Sequence, residues 1–187
     1  MSADLTVPVA SDPFIGSLLG DEFRVTEKLG EGGMGAVYRA TQKFTDRVVA
    51  VKVLHRHLYE ASLFQRFVQE AQIVSKLNHP NIITVYKFGQ NADSTLYLAM
   101  EHVDGQPLDA VLAETGGFEV ERALPLMIQM AEALAYAHDL KIVHRDIKPE
   151  NMIVARSGRN ETIKLLDFGI AKMLDNNASL TKTGMMV

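Results

Sequence analysis

Three glycines, Gly30, Gly32 and Gly35, have the spacing G-x-G-x-x-G, a pattern that can bring a backbone close to phosphate groups. The residues on both sides alternate between apolar and polar types, which predicts a strand before the glycines and a strand after them. In such a hairpin, backbone N–H groups can approach phosphate oxygens because no side chain intervenes. An ordinary glycine-rich turn has the same spacing, and the motif alone favours that interpretation. No G-x-x-x-x-G-K-S/T segment occurs, which excludes a P-loop protein.

A lysine, Lys52, ends the apolar run Val49-Ala50-Val51. A buried ammonium group needs an anionic partner, and a phosphate together with a carboxylate would provide one. Glu70, 18 residues further on in a predicted helix, is the candidate carboxylate. The alternative is that Lys52 extends into solvent from the end of a strand while Glu70 is solvated. These two residues alone are compatible with either interpretation.

The segment His144-Arg145-Asp146-Ile147-Lys148-Pro149-Glu150-Asn151 is more specific. Five of its positions, at roughly 1 in 20 each, would occur together by chance about 3 times in 10 million starts. Asp167-Phe168-Gly169 follows 21 residues after Asp146. With these motifs in this order, the chain resembles the protein kinase superfamily, in particular the Hanks-type, eukaryotic-like serine/threonine kinases of bacteria. The resemblance covers roughly residues 23–187 and includes the amino-acid sequence of the glycine segment.

The resemblance implies that the chain transfers the γ-phosphate of ATP to protein hydroxyl groups. Asp146 would accept or orient the proton of the attacking hydroxyl, and Lys148 would reach the transferred phosphate. Asn151 and Asp167 would supply oxygen ligands to Mg²⁺, a hard ion that prefers them. A lysine two positions after the catalytic aspartate is the serine/threonine pattern, so serine and threonine side chains of proteins are the expected acceptors.

The resemblance also implies an ATP site between two lobes. Lys52 would hold the α- and β-phosphates, and Glu70 would fix its ammonium group. The other expected nucleotide contacts are the glycines Gly30, Gly32, Gly33 and Gly35 and the adenine and hinge residues Leu29, Val37, Ala50, Met100, Glu101, Val103 and Ile153.

The elements that must position these residues predict an α+β protein with two lobes, and the resemblance implies that this is a protein-kinase-like fold. Residues 1–20 are interpreted as a flexible leader, residues 21–103 as a five-stranded antiparallel N-lobe with one main helix, and residues 104–187 as a partial, helical C-lobe. The C-lobe would contain the catalytic loop and the start of the activation segment. Strands are expected at 23–29, 36–40, 48–54, 82–88 and 95–100, and helices at 62–77, 108–114 and 119–139.

The long helix carries Leu124, Ile128 and Leu134 on one apolar stripe. In relatives of the kinase superfamily, helices encoded further along the chain cover this stripe, so we expect it to be exposed here. Two methionines of the same helix, Met127 and Met130, are expected in the core.

Composition excludes several other classes of protein. Hydrophobic residues make up 47% of the 187 residues and charged residues 22%, which is typical of a soluble globular protein. Lys and Arg number 19 against 23 Asp and Glu, so no basic excess indicates nucleic-acid binding. Cysteine is absent, which excludes disulfides, thiolate zinc sites and cysteine nucleophiles. No membrane segment or secretory signal is predicted, and a cytoplasmic location is expected.

The sequence stops 20 residues after Asp167, before the family's Ala-Pro-Glu-like motif, so we expect a kinase truncated within its activation segment. An ATP-binding, non-catalytic kinase fragment is the alternative. A third interpretation, a phosphotransferase that acts on small molecules, is weaker, because Lys148 and the sequence of residues 30–35 favour protein kinases. Thr181 and Thr183 lie at positions where relatives are usually autophosphorylated. Arg145 could bind such a phosphothreonine through two hydrogen bonds.

Overall fold

The first lobe is built on an antiparallel sheet with the strand order β1-β2-β3-β4-β6-β5. The computed structural model describes residues 12–33, 35–55, 74–158 and 160–168. Most of the helix predicted at 62–77 lies outside these ranges, as do Glu70, Thr181 and Thr183. The strands are β1 (Leu18–Leu19), β2 (Phe23–Gly32), β3 (Gly35–Gln42), β4 (Val48–Leu54), β5 (Val85–Gln90) and β6 (Leu96–Glu101).

Strand β4 shows how this sheet comes to have two buried faces. Two sets of side chains alternate along it: Val49, Val51 and Val53 on one side and Ala50, Lys52 and Leu54 on the other. The three valines belong to an apolar cluster on the outer face of the sheet. Ala50 and Leu54 belong to a second cluster that continues into the other lobe. The same alternation therefore turns Lys52 toward the cleft between the lobes.

The beginning of the chain differs from the sequence-based prediction. Residues 12–20 fall within the predicted leader, yet β1 pairs with β2 and Leu19 is completely buried. The ring of Phe14 lies 5.6 Å from that of Tyr38 on β3. These apolar side chains cover part of the outer face of the sheet. The described sheet consequently has six strands where five were expected, because a two-residue strand is too short to show any periodicity.

The second lobe mixes helices with a small sheet. Residues 102–104 connect β6 to β7 (Gly105–Pro107), which pairs with β8 (Met152–Ser157), and β8 pairs with β9 (Asn160–Leu165). Helices α1 (Leu108–Thr115) and α2 (Val120–Asp139) lie between β7 and the catalytic loop, which ends in a short 3-10 helix, Pro149–Asn151. Gly116 ends α1 with a left-handed backbone conformation that glycine adopts without strain.

Helix α2 is apolar on two faces, and its buried face carries small residues. Ala133 and Ala137 are completely buried, together with Leu126, in the core shared with β9. Leu124 and Ile128 are 54% and 50% exposed, as expected for their stripe, whereas Leu134 is partly buried. The prediction that Met127 lies in the core is wrong, since it is 58% exposed, while Met130 packs partly against the core. Neither α1 nor α2 is long and apolar enough to cross a membrane.

Candidate active site

An ion pair in the cleft between the lobes connects a strand of the first lobe to a loop of the second. Lys52 Nζ lies 2.5 Å from Asp167 Oδ2, although the two residues are 115 positions apart in the chain. Their side chains are only 14% and 27% exposed. Partial burial strengthens such a pair relative to one in bulk water. The predicted partner Glu70 lies outside the described residues, so the carboxylate seen beside Lys52 is that of Asp167.

A second cluster forms in the catalytic loop. Asn151 Nδ2 donates hydrogen bonds of 2.8 Å to both the backbone oxygen and the Oδ2 atom of Asp146. Lys148 Nζ lies 3.5 Å from the same Oδ2 atom. The Asp146 side chain is 14% exposed, whereas that of Lys148 is 47% exposed. The loop therefore presents a fixed carboxylate beside a cation that solvent can reach.

The two clusters are connected through Leu166. Its backbone N–H donates a 2.9 Å hydrogen bond to the backbone oxygen of Asn151. Its backbone oxygen accepts a 2.7 Å hydrogen bond from Nε2 of His144. The neighbouring Phe168 ring lies 4.5 Å from the His144 ring. The catalytic loop and the segment that carries Asp167 are thus held together by backbone hydrogen bonds and one ring contact.

His144 is held as a neutral imidazole. The ring is 1% exposed, and burial lowers the pKa of His144 below its ordinary value despite the bond to Leu166. The backbone N–H of Asp146 points to Nδ1 at 3.4 Å, so Nδ1 accepts while Nε2 keeps the proton it donates to Leu166. An uncharged ring therefore sits at the base of the catalytic loop.

Two residues of this region have a left-handed backbone. Arg145 has φ of 64° and Asp167 has φ of 45°. Such angles are uncommon for residues with a side chain, and they persist where the surrounding structure holds them. Here the holding contacts are the Lys52 pair at Asp167 and, next to Arg145, the hydrogen bonds of His144 and Asp146.

The glycine-rich hairpin lies between β2 and β3. Gly30 is opposite Val37 and Gly32 is opposite Gly35 in the antiparallel register. A side-chain carbon on Gly35 would lie 2.0 Å from the backbone oxygen of Val53, so only glycine fits there. A carbon added to Gly30, Gly32 or Gly33 would meet no atom within 4 Å. Gly35 is thus required for packing, while the other three leave the backbone open to an approaching group.

Four of the residues expected around adenine belong to one apolar cluster. Ala50 and Met100 are buried in it, and Val37 and Val103 pack partly against it. Leu29 on β2 is 47% exposed. Ile153 is partly buried on β8, opposite Pro107 of β7. The structure therefore brings together the β3, β4 and hinge side of the expected slot.

Glu101 forms an ion pair across the hinge that was not anticipated. Its carboxylate oxygens lie 2.7 and 2.8 Å from Nζ of Lys164 on β9. One of them also accepts a 3.3 Å hydrogen bond from the backbone of Thr84. Lys164 stands between apolar neighbours, Ile163 and Leu165, and its side chain is only 16% exposed. The reasoning applied to Lys52 would have flagged Lys164 from sequence, since a lysine among apolar strand residues needs an anionic partner.

The model of the protein kinase domain matches residues 23–186. The chain belongs to the protein kinase domain family. The match includes every described element from β2 to β9. It agrees with the resemblance to Hanks-type bacterial serine/threonine kinases and with the two-lobed fold.

Bacterial serine/threonine kinases are among the similar proteins. The chain is 41% identical over 181 residues to serine/threonine-protein kinase pkn3 of Myxococcus xanthus, covering 94% of this chain and 33% of that protein. It is 38% identical to PknA of Mycobacterium tuberculosis strain H37Rv, covering 94% of this chain and 41% of that one. The crystal structure of a double mutant of the M. tuberculosis PknI kinase domain superposes with a TM-score of 0.72 at 31% identity, covering 80% of this chain and 61% of that one. The chain thus spans well under half the length of these curated relatives.

The burial of His144 predicts a pH-dependent stability. Because its pKa is lower in the folded than in the unfolded chain, protonation favours unfolding, and stability falls as pH drops from about 7 through the folded pKa. One proton limits this slope to about 1.4 kcal/mol per pH unit. The measurement is urea unfolding between pH 7 and pH 5 for the native chain and for His144→Gln. Parallel curves for the two proteins would contradict the assignment.

Proposed function

We propose that this chain carries the catalytic apparatus of a serine/threonine protein kinase, which transfers the γ-phosphate of ATP to hydroxyl groups of proteins. The observation that carries the proposal is the pairing of Lys52 with Asp167 beside the Asp146–Asn151 hydrogen bonds. Lys52 of β4 contacts the segment after β9, and hydrogen bonds of Leu166 join that segment to the catalytic loop, although the three are far apart in sequence. Membership of the protein kinase domain family supports the same proposal.

The donor set at this cleft fits Mg²⁺, which kinases generally use together with ATP. Among the described contacts, both side-chain hydrogen bonds of Asn151 use Nδ2, so its Oδ1 atom is the one suited to a cation. Asp167 adds a partly exposed carboxylate. Oxygen ligands of these two kinds suit a hard divalent ion. When bound, Mg²⁺ would neutralise phosphate charge.

The side chains of the cleft divide the remaining tasks. Lys52, already aimed into the cleft, would bind the α- and β-phosphates in place of its present contact with Asp167. Asp146, fixed by Asn151, would accept the hydrogen bond of the attacking hydroxyl and orient it toward the phosphate. Lys148 would add positive charge where the transferred group passes. Positioning and charge neutralisation of this kind account for most of the catalysis of phosphoryl transfer.

The acceptor is proposed to be serine or threonine rather than tyrosine. Lys148 stands two residues after Asp146, which is the serine/threonine arrangement. The similar proteins pkn3 and PknA are both named serine/threonine-protein kinases. The proposed role of Glu70 as a partner of Lys52, and of Thr181 and Thr183 as sites of autophosphorylation, rests on the family resemblance alone.

The test combines binding and transfer. Calorimetry of the 187-residue chain with ATP, with and without Mg²⁺, measures binding, and radiolabelled γ-phosphate measures transfer to a basic acceptor protein. We expect Mg²⁺-dependent binding and label on serine and threonine after acid hydrolysis. Binding without transfer would favour the alternative, an ATP-binding fragment. Label on tyrosine, or no binding, would overturn the proposal.

A further inference from the structure

An arm of the chain that precedes the kinase family match contacts the root of the glycine-rich hairpin. This N-terminal arm, residues 12–22, runs beside β2 and joins it through β1. Gly16 N–H donates a 3.0 Å hydrogen bond to the backbone oxygen of Val25, and Val25 N–H donates one of 3.0 Å to Ser17. The family match begins at residue 23, whereas the matches to pkn3 and PknA cover 94% of this chain and so extend into the segment before that residue.

The arm begins at Asp12, whose carboxylate contacts both members of one cross-strand pair. Lys28 of β2 and Tyr38 of β3 are opposite each other in the register. Tyr38 donates its hydroxyl hydrogen to Asp12, with O–O distances of 3.0 and 3.1 Å, and Lys28 Nζ lies 3.3 Å from Asp12 Oδ2. The backbone N–H of Phe14 donates a further 3.0 Å bond to the same carboxylate. One carboxylate therefore ties two strands and its own turn together.

The electrostatics of this cluster agree with a firm attachment. Burial alone would raise the pKa of Asp12, but hydrogen bonds from Phe14, Tyr38 and Lys28 hold it below its ordinary value. Burial and the bond to Asp12 raise the pKa of Tyr38 to about 12. Tyr38 is 2% exposed, so water competes little for its bond to Asp12, whereas the Lys28 side chain is 33% exposed.

The contact lies within the exposed stretch of β2 that leads into the glycine-rich hairpin. Residues 26–33 of β2 and its turn are all exposed. A register irregularity falls between Lys28 and Gly30, at the start of the glycine segment. Lys28 also bonds Glu31 at 2.6 Å, and His55 Nε2 lies 3.1 Å from the backbone oxygen of Gly32. Asp12 thus reaches the glycine segment through a single intermediate, Lys28.

We propose that Asp12 is a positioning residue for the glycine-rich hairpin, acting through Lys28 and Tyr38 to hold the backbone of residues 30–33 over the phosphates of ATP. The inference rests on the proposed function, because it assigns the hairpin to ATP. A hairpin that is fixed in place before ATP arrives loses less conformational freedom on binding, so affinity increases. The arm should therefore affect the KM for ATP more than kcat.

The test compares Asp12→Asn, Lys28→Met and the double variant with the native chain. Asparagine keeps the size of Asp12 and one acceptor oxygen but removes one of the two carboxylate charges that Lys28 contacts. Glu22→Gln is the matched control, since Glu22 pairs with Lys87 at 2.5 Å at the other end of the arm, away from the hairpin. Hydrogen exchange of amides 28–37 without nucleotide measures hairpin mobility, and steady-state kinetics measure KM and kcat.

For Asp12→Asn we expect exchange of the hairpin amides to accelerate about fivefold and the KM for ATP to rise about fivefold, which corresponds to about 1 kcal/mol. We expect kcat to change less than about twofold. Glu22→Gln should leave the exchange of these amides unchanged. In the Lys28→Met background, Asp12→Asn should have little further effect, because the two residues act as one unit.

Two results would overturn the inference: native exchange rates in Asp12→Asn, or a fully additive double variant. Faster exchange with an unchanged KM would show that the arm restrains the hairpin without affecting ATP, which also contradicts it. A native chain that binds no ATP would instead refute the proposed function. In that case the exchange data alone would still decide whether Asp12 holds the hairpin.

Discussion

Replacing Asp146 with asparagine is expected to lower kcat for phosphate transfer by about 10²- to 10⁴-fold, the range that a positioned acid or base contributes. Asp146 is held by Asn151 and Lys148, and asparagine has nearly the same shape. The loop should therefore keep its conformation while losing the anionic oxygen that orients the attacking hydroxyl. The affinity for Mg²⁺–ATP should change less than about threefold, because Asp146 is not among the proposed phosphate ligands. Initial rates at saturating ATP and calorimetry measure the two quantities.

Asp139→Asn provides the matched control for this variant. Asp139 is the exposed last residue of α2, and its substitution removes the same charge from a position outside the cleft. Its kcat should stay within about twofold of the native value. An Asp146→Asn protein that loses ATP affinity and transfer in equal measure would mean that Asp146 supports the structure of the cleft instead of the reaction.

Replacing Lys52 with methionine is expected to weaken Mg²⁺–ATP binding by about 10- to 150-fold. Hydrogen bonds to charged groups contribute about 1.5–3 kcal/mol, and methionine keeps the length of the side chain without its charge. The α- and β-phosphates would lose the only cation that the described part of β4 turns toward the cleft. Calorimetric titration with Mg²⁺–ATP measures the change directly, and unchanged affinity would contradict the role of Lys52.

The variant also leaves Asp167 without its cation, so a loss of folding must be distinguished from a loss of binding. Lys87→Met is the matched control, because Lys87 pairs with Glu22 at the same 2.5 Å distance in the same lobe but outside the cleft. It should retain native affinity. The double variant Lys52→Met/Asp167→Asn removes both charges and should melt near the native temperature while still failing to bind Mg²⁺–ATP.

Sequence reasoning succeeded where one element carries its own pattern. The alternation along β4 is sufficient to separate Lys52 from the three valines and to turn it toward the cleft. Asp146 and Asn151 were named for separate roles, and their short spacing allows the side-chain bond that joins them within one loop. Both features depend on residues close together in the chain, where sequence carries most information.

Contacts between distant segments were harder to predict. Nothing local indicates that Glu101 would pair with Lys164, 63 residues away, or that Lys52 would contact Asp167 directly. The choice of a partner for a buried lysine depends on which carboxylate the fold brings near it, and sequence spacing does not specify that. The dipeptide Asp12-Pro13 is typical of a turn, but its contact with Lys28 required the strand register to be known.

Helix α2 shows a third limit. Its sequence has apolar residues on two sides, and periodicity cannot tell which side packs against the lobe. The structure buries the side with Ala133 and Ala137, where small side chains allow β9 to approach closely, and exposes the bulkier Leu124 and Ile128. The small side chains of Ala133 and Ala137 are compatible with the close packing on the buried side of this helix.

The Glu101–Lys164 pair restricts how the two lobes can move. It lies beside residues 102–104, where the chain passes between them, and a point near an axis of rotation is displaced little when two bodies turn about it. If one lobe slid along the other, every point of it would be displaced equally, and the Glu101–Lys164 pair would break. Glu101 is level with Val49, and Lys52 lies three residues further along β4, about 10 Å from that level. The expected motion is therefore rotation about the hinge, in which Lys52 moves relative to Asp167 while Glu101 stays bonded to Lys164.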